Sequence, residues 1–256
     1  MKQSKNIRIL MPAGAILLFL LVWEAFVRIT GTPLYVLPAP SKVLSTLIRE
    51  LPALWRHSVV TLSETLMGVV IAFALAFILA ILMDALGLFK SAVYPLLVIS
   101  QTIPVIVLAP LFIIYLGFGM APKVLTVVLM CFFPVAVSFA DGMAQLDVNQ
   151  INLVRSFGAS RAQTYLLVKV PAAAPSLFSG LKVAATYSIS GAVVGEWISA
   201  QSGLGYYMLR VMNGFMLDKV FASIAVVVIL SLLMNVLVRS LQYVCLPHLR
   251  RQERGG

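Results

Sequence analysis

The stretch Asn152-Leu-Val-Arg-Ser-Phe-Gly158-Ala-Ser-Arg-Ala-Gln-Thr-Tyr-Leu-Leu-Val-Lys-Val-Pro171-Ala-Ala-Ala-Pro175 decides the reading of this chain. It is a polar, basic, glycine-marked insert in a sequence that is otherwise almost continuous membrane helix. Asp147 is placed to cap a helix running to about Phe157, Gly158 allows a sharp turn, and Ser160 can cap a second helix ending before Pro171. Residues 141–175 therefore predict a helix, a turn and a helix outside the bilayer. Phe157 at the turn, flanked by Arg155 and Arg161, supplies one apolar anchor with a basic rim. That is the make-up of a surface gripped by another protein.

Working outward, the composition leaves no room for a soluble domain. The chain is 61% hydrophobic and 11% charged, with a mean hydropathy of +1.01, and a bilayer core demands runs of about twenty apolar residues. Spans read at about 9–29, 58–83, 92–116, 122–140, 176–198 and 220–243, each long enough to satisfy its own backbone as a helix. The chain 1–256 is expected to be one all-α membrane domain of about six transmembrane helices, with both termini on one side. Lys2, Lys5 and Arg8 precede the first stretch as in a signal peptide, but it runs on to Trp23-Glu-Ala-Phe without a small-residue cleavage site, and it is read as a helix. With the N-terminus inside, the Lys and Arg on that side are 2, 5, 8, 90, 155, 161, 169, 182, 239, 250, 251 and 254, against the other seven of 19 outside. The net charge of +10 is then a topology signal, not a nucleic-acid footprint.

Residues 31–40 are too proline-rich for a helix, and residues 41–56 follow as an amphipathic segment lying along the outer surface, with Val43, Leu44, Leu47, Ile48 and Leu51 on one face. The second span carries Gly68, Ala72, Ala76 and Ala80 at four-residue spacing, a face on which another helix can pack closely. The fifth repeats the device with Gly180, Ala184, Ser188, Gly191 and Gly195; there Tyr187, Ser188 and Ser190 serve either packing or a solute pathway. Gln101, Pro104 and Pro110 predict a kink or local unwinding in the third span, which bends it or opens a cavity. Glu196 and Trp197 end the fifth span as a gate or an interfacial anchor, followed by the turn-forming Gly203 and Gly205. Cys131 and Cys245 read as small core residues rather than a disulfide or metal site.

Together these residues resemble the integral-membrane permeases of ATP-binding-cassette importers, whose cytoplasmic signature runs Glu-Ala-Ala, three residues, Gly, nine residues, then Ile-x-Leu-Pro. Gly158 matches the glycine and Val168-Lys-Val-Pro171 the tail, while Asn152, Leu153 and Val154 stand where the Glu-Ala-Ala would be. Leu37-Pro-Ala-Pro40-Ser, Thr61-Leu-Ser-Glu-Thr-Leu-Met-Gly68, Ile103-Pro104, Pro110-Leu and Gly195-Glu196-Trp197 with Gly203-Leu-Gly205 look like the nitrate, sulfonate and taurine group. Within it, Gly-Glu-Trp before Gly-Leu-Gly is closer to permeases for thiamin-precursor pyrimidines or riboflavin. The resemblance implies a MetI-like permease fold in a bacterial inner membrane, a permease homodimer, a cytoplasmic ATPase dimer that binds ATP-Mg, and an external substrate-binding protein. It also implies that Arg155, Ser156, Phe157, Gly158, Ala159, Ser160, Arg161 and Pro171 form the ATPase-coupling loop.

No phosphate-cradling Gly-x-x-x-x-Gly-Lys-Ser/Thr loop occurs in the chain, so no cofactor is expected on it and the nucleotide chemistry belongs to a partner. An intramembrane enzyme is disfavoured because His57, Glu24, Glu64 and Glu196 form no nucleophile–base or metal spacing. An ion-coupled secondary transporter is the alternative reading, but carboxylates are expected near mid-membrane in such carriers and the third to sixth spans have none near their centres. A pathway of Gln101, Pro104, Tyr187, Ser188, Ser190, Glu196 and Trp197 without buried Lys or Arg favours a neutral or weakly charged, aromatic solute.

Overall fold

The computed structural model describes residues 5–199 and 201–246. The chain ends, and with them the expected placement of both termini, lie outside those residues. Among the described residues the chain is helical throughout: α1 Lys5–Thr30, α2 Pro40–Arg49, α3 Leu51–Ala85, α4 Gly87–Ser100, α5 Val105–Leu116, α6 Met120–Ala144, α7 Val148–Ser156, α8 Arg161–Thr164, a π-helical turn Tyr165–Lys169, α9 Val170–Ser199, α10 Leu204–Asn213 and α11 Leu217–Cys245. Five spans are long and apolar enough to cross a membrane, and the pair α4 and α5 makes a sixth if counted as one broken span.

The expected third span is more than kinked. Its halves turn by 102°. Pro134 lies inside α6 and Pro110 inside α5 without breaking either, so a proline alone does not account for the elbow. At residues 101–104 the chain instead leaves the helix: Pro104 caps α5 with an extended ψ of 119°, and the residue before a proline is itself pushed out of the helical region.

The outer amphipathic segment is shorter than 41–56. It ends at Arg49, Glu50 caps both α2 and α3, and residues 51–56 already belong to the long α3. Its buried residue is Thr46, which donates to Asp218 at 2.8 Å, while Leu44 and Ile48 stay exposed. Cys245 is likewise exposed rather than core; only Cys131 is buried.

The centre of the bundle is α3, α6 and α9, brought together along glycine and alanine. Ala72, Ala76 and Ala80 are fully buried, as is Ala184 opposite. A side chain added at Gly180 would meet the Pro134 carbonyl at 2.6 Å and Val135 Cα at 2.9 Å. Gly191 lies on Val127 and Gly195 on Lys123 in the same way. In a bilayer, where lipid is as apolar as leucine, such close backbone approach is the main source of helix association. Phe77 of α3 stacks on Phe139 of α6 with ring centroids 5.1 Å apart.

Replacing Gly180 with Val places methyl groups against backbone that cannot yield, an overpacking cost at the upper end of about 1–3 kcal/mol. The detergent-solubilised variant should melt several degrees lower and lose monodispersity. Gly87→Ala, which adds its methyl to open space, should leave the melting curve unchanged.

Candidate functional site

Three places are candidate functional sites, and the first is the loop between α6 and α9. Asp147 caps α7 by accepting the Asn149 N–H at 2.8 Å, as its position in the sequence implies. The helix closes in a Schellman arrangement: Gly158 N–H donates to the Arg155 carbonyl at 2.9 Å and Ala159 N–H to that of Val154 at 3.4 Å. This requires the left-handed φ of +84° at Gly158, whose surroundings are otherwise open. Ser160 then forms a reciprocal capping box with Gln163. Phe157 projects from the turn, 83% exposed, beside exposed Arg155, Ser156 and Arg161.

The second loop helix does not end before Pro171. It passes through the π turn into α9, so loop and membrane span are one continuous rod. The turn is closed by the Val170 N–H on the Tyr165 carbonyl, and its wider winding accommodates Pro171, which has no N–H to offer the preceding turn.

The second place is a cavity of about 430 Å³ at the elbow between α4 and α5, walled by α6 and α9. It brings together Gln101 and Tyr187, 86 positions apart in sequence, with Ser100, Met130 and Phe133, and its lining carries no charged side chain. Pro104 shapes the elbow rather than the wall. Ser188 is buried, its hydroxyl donating to the Ala185 carbonyl at 2.9 Å, so it belongs to the packing face. Ser190 is exposed and does not line the cavity.

The third place is the opposite end of the bundle, where α10 docks. The amide of its N-cap Gly203 and the first two of its own are each held by a side chain from another helix. Gly203 N–H donates to His57 Nδ1 at 3.1 Å, Leu204 N–H to Thr61 Oγ1 at 2.9 Å and Gly205 N–H to Glu196 Oε2 at 2.5 Å. Thr61 in turn donates to Glu196 Oε1 at 2.7 Å. Glu196 is thus not an exposed interfacial anchor: it is 1% exposed and satisfies a helix N-terminus, where amides and dipole favour a carboxylate. Gly203, at φ +112°, has no room for a β-carbon against that carboxylate. Trp197 lies 40% exposed beside Met208 and Met212.

Beside this cluster Lys123 donates to Glu64, both buried, and Glu64 adjoins Glu196. Lys123 was expected among the outer-facing cations and is instead inside the bundle. The sequence did carry a signal: His57, Thr61, Glu64 and Gly68 recur at helical spacing on one face of an otherwise apolar span. Nearer the surface, hydrogen bonding to the Lys219 ammonium holds the Glu50 carboxyl below its ordinary range. Tyr207, which donates to Glu50 at 3.2 Å, is pushed up to about 12 by burial and then by that carboxylate.

This architecture has relatives. Residues 68–251 match the family described as "Binding-protein-dependent transport system inner membrane component". The chain is 34% identical over 251 residues to the formylaminopyrimidine transport permease protein ThiX of Halalkalibacterium halodurans, covering 98% of this chain and 100% of that one. It is 31% identical over 224 residues to the riboflavin transport system permease protein RibX of Chloroflexus aurantiacus, covering 87% and 84%. A chain of the MetNI methionine ABC transporter in inward-facing conformations superimposes with a TM-score of 0.52 at 17% identity, covering 80% of this chain and 99% of that one, a likeness of fold. A helical core with five or six candidate membrane spans, a structured loop at one end and a family match over most of its length lead to one conclusion: the chain belongs to the binding-protein-dependent inner-membrane components, the permease subunits of ATP-binding-cassette importers.

Proposed function

We propose that this permease carries an uncharged nitrogen heterocycle of the aminopyrimidine kind, and that the cavity at the α4–α5 elbow is part of its path. The observation that carries this reading is the cavity lining. Its polar groups are the Gln101 amide, the Tyr187 phenol and the Ser100 hydroxyl, and Phe133 and Met130 offer flat, polarisable surface. An amide both donates and accepts, which suits a ring bearing nitrogen and amine edges. Nothing in the lining would neutralise a sulfonate or a nitrate. The relation to a formylaminopyrimidine permease along its full length supports the same class.

In this reading the chain works as a homodimer in a bacterial inner membrane, with both termini and residues 141–175 cytoplasmic. The Lys and Arg distribution supports the orientation, and more cleanly once Lys123 is removed from the outer set. A cytoplasmic ATPase dimer, binding ATP-Mg, grips the loop through Phe157 and its basic rim. An external binding protein delivers solute to the α10 end. ATP-driven closure of the ATPase moves the loop, and the continuous α8–α9 rod carries that motion into the membrane.

The test is reconstitution in vesicles with the ATPase and binding protein encoded beside this chain. ATP-dependent uptake of labelled formylaminopyrimidine should occur, and taurine should not be taken up; the reverse preference would refute the substrate class. Phe157→Ala, which removes an apolar anchor worth about 2 kcal/mol or more if it is a hot spot, should reduce ATPase copurification and uptake together. Undiminished copurification would detach Phe157 from the docking surface.

Orientation has its own readout. A cysteine introduced at the exposed Gln163 should react with an impermeant reagent only after the cells are opened. Labelling in intact cells would invert the topology.

At the other end, Gly203→Ala should drive α10 off the Glu196 carboxylate, lowering uptake by about tenfold or more while ATPase copurification persists, since overpacking of about 1–3 kcal/mol is applied far from the loop. Retained uptake would show that α10 need not be seated for transport.

A further inference from the structure

At the loop end of the bundle, Asp84 sits on the last turn of α3 and faces the π turn. Its Oδ2 accepts from the Tyr165 hydroxyl at 2.5 Å and from Lys169 Nζ at 2.5 Å. These are the first and last residues of that turn. The ammonium of Lys169 also lies over the Tyr165 ring at 4.8 Å. The pair is largely withdrawn from water, with side-chain exposures of 12% for Lys169 and 14% for Asp84, so it is not a loosely solvated surface pair.

The position matters because the π turn is where the rod from loop to membrane is weakest. Its hydrogen bonds are wider than those of an α-helix, and Pro171 immediately beyond it removes one more. Left alone, such a joint would bend when the loop is pushed, and the push would not reach α9. Asp84 fastens both ends of the joint to a third helix through one oxygen.

The helix it recruits is informative. At the far end of the bundle the amides at the start of α10 are held from two helices: α3 supplies His57 and Thr61, and α9 supplies Glu196. The same two are tied together at the loop end by Asp84. A displacement that reaches α3 and α9 together moves the three groups that grip the α10 amides as one set; a displacement that reaches α9 alone would shear Glu196 away from Thr61.

Resting on the importer reading above, we propose that Asp84 is a positioning residue for energy coupling: through Tyr165 and Lys169 it stiffens the π turn and distributes loop motion between α3 and α9. It touches neither the ATPase-docking surface at Phe157 nor the cavity at Gln101 and Tyr187.

The experiment uses the full complex of permease, ATPase and binding protein in vesicles, and reads solute taken up per ATP hydrolysed beside the ATPase that copurifies. Asp84→Ala and Lys169→Met should each lower that ratio by about tenfold, in the range over which coupling networks act, with copurification and ATP hydrolysis retained. Asp84→Glu should keep most of the ratio. The exchanged pair Asp84→Lys with Lys169→Asp should recover several-fold over either single change, a response that mere loss of packing would not give. An unchanged ratio in both single variants overturns the proposal, as does a loss of copurified ATPase in them, which would make Asp84 part of the docking surface. Failure of the unaltered chain to copurify any ATPase would instead refute the importer reading itself, and the coupling role with it.

Discussion

Everything in this molecule depends on how closely three helices approach one another. α3, α6 and α9 meet through Gly68, Ala72, Ala76 and Ala80 on one side and Gly180, Ala184, Gly191 and Gly195 on the other. With the helix axes this near, backbone rather than side chain sets the separation, and the three move as rigid bodies rather than by local repacking. The polar groups can then be few. A carboxylate at residue 196 meets a threonine at residue 61 because Gly195 lets α9 rest on α6 at Lys123, and the same approach brings Lys123 to Glu64.

From that core the two ends are built differently. The tip of the loop, beyond the Asp84 contact, is held by local backbone chemistry: a Schellman turn, a capping box and the left-handed Gly158, each satisfied within a few residues of itself. The α10 end is held by distant side chains that reach its amides across the bundle. A self-contained unit can be pushed without falling apart. A seat made of groups from two helices changes whenever those helices shift relative to each other.

Much of this was legible in the sequence, and the reason differs by element. The loop was readable because its determinants are local: Asp147, Gly158 and Ser160 act within one turn of where they stand. The packing stripes were readable because their four-residue spacing needs only a helix. The elbow at Pro104 is less legible, since a proline reports a weakened helix but not the direction the chain takes after it. Pro171 reads in sequence as a stop because a π turn has no composition of its own. The buried Lys123–Glu64 pair and the meeting of Thr61 with Glu196 could not be derived from spacing, because they join residues 59 and 135 positions apart; only the half contributed by α3 lay on one visible face. Ser188 illustrates the limit from the other side, as a hydroxyl in a membrane helix reads equally as lining or as packing until its neighbours are known.

The Lys123–Glu64 pair also bears on how the chain is made. α3 enters the bilayer with Glu64 in the first half of its span, before α6 has been synthesised to supply the ammonium. An isolated charge opposes insertion by about 2.5–3.5 kcal/mol at a helix centre and by less toward an end, a penalty that the length and hydropathy of α3 can outweigh but not abolish. Until α6 arrives, α3 is a helix with an unmet electrostatic demand, and α6 is the segment that meets it. The order of synthesis thus gives the first tertiary contact a partner specified by charge before the small-residue faces have closed, so that assembly is selected by pairing and then made permanent by fit.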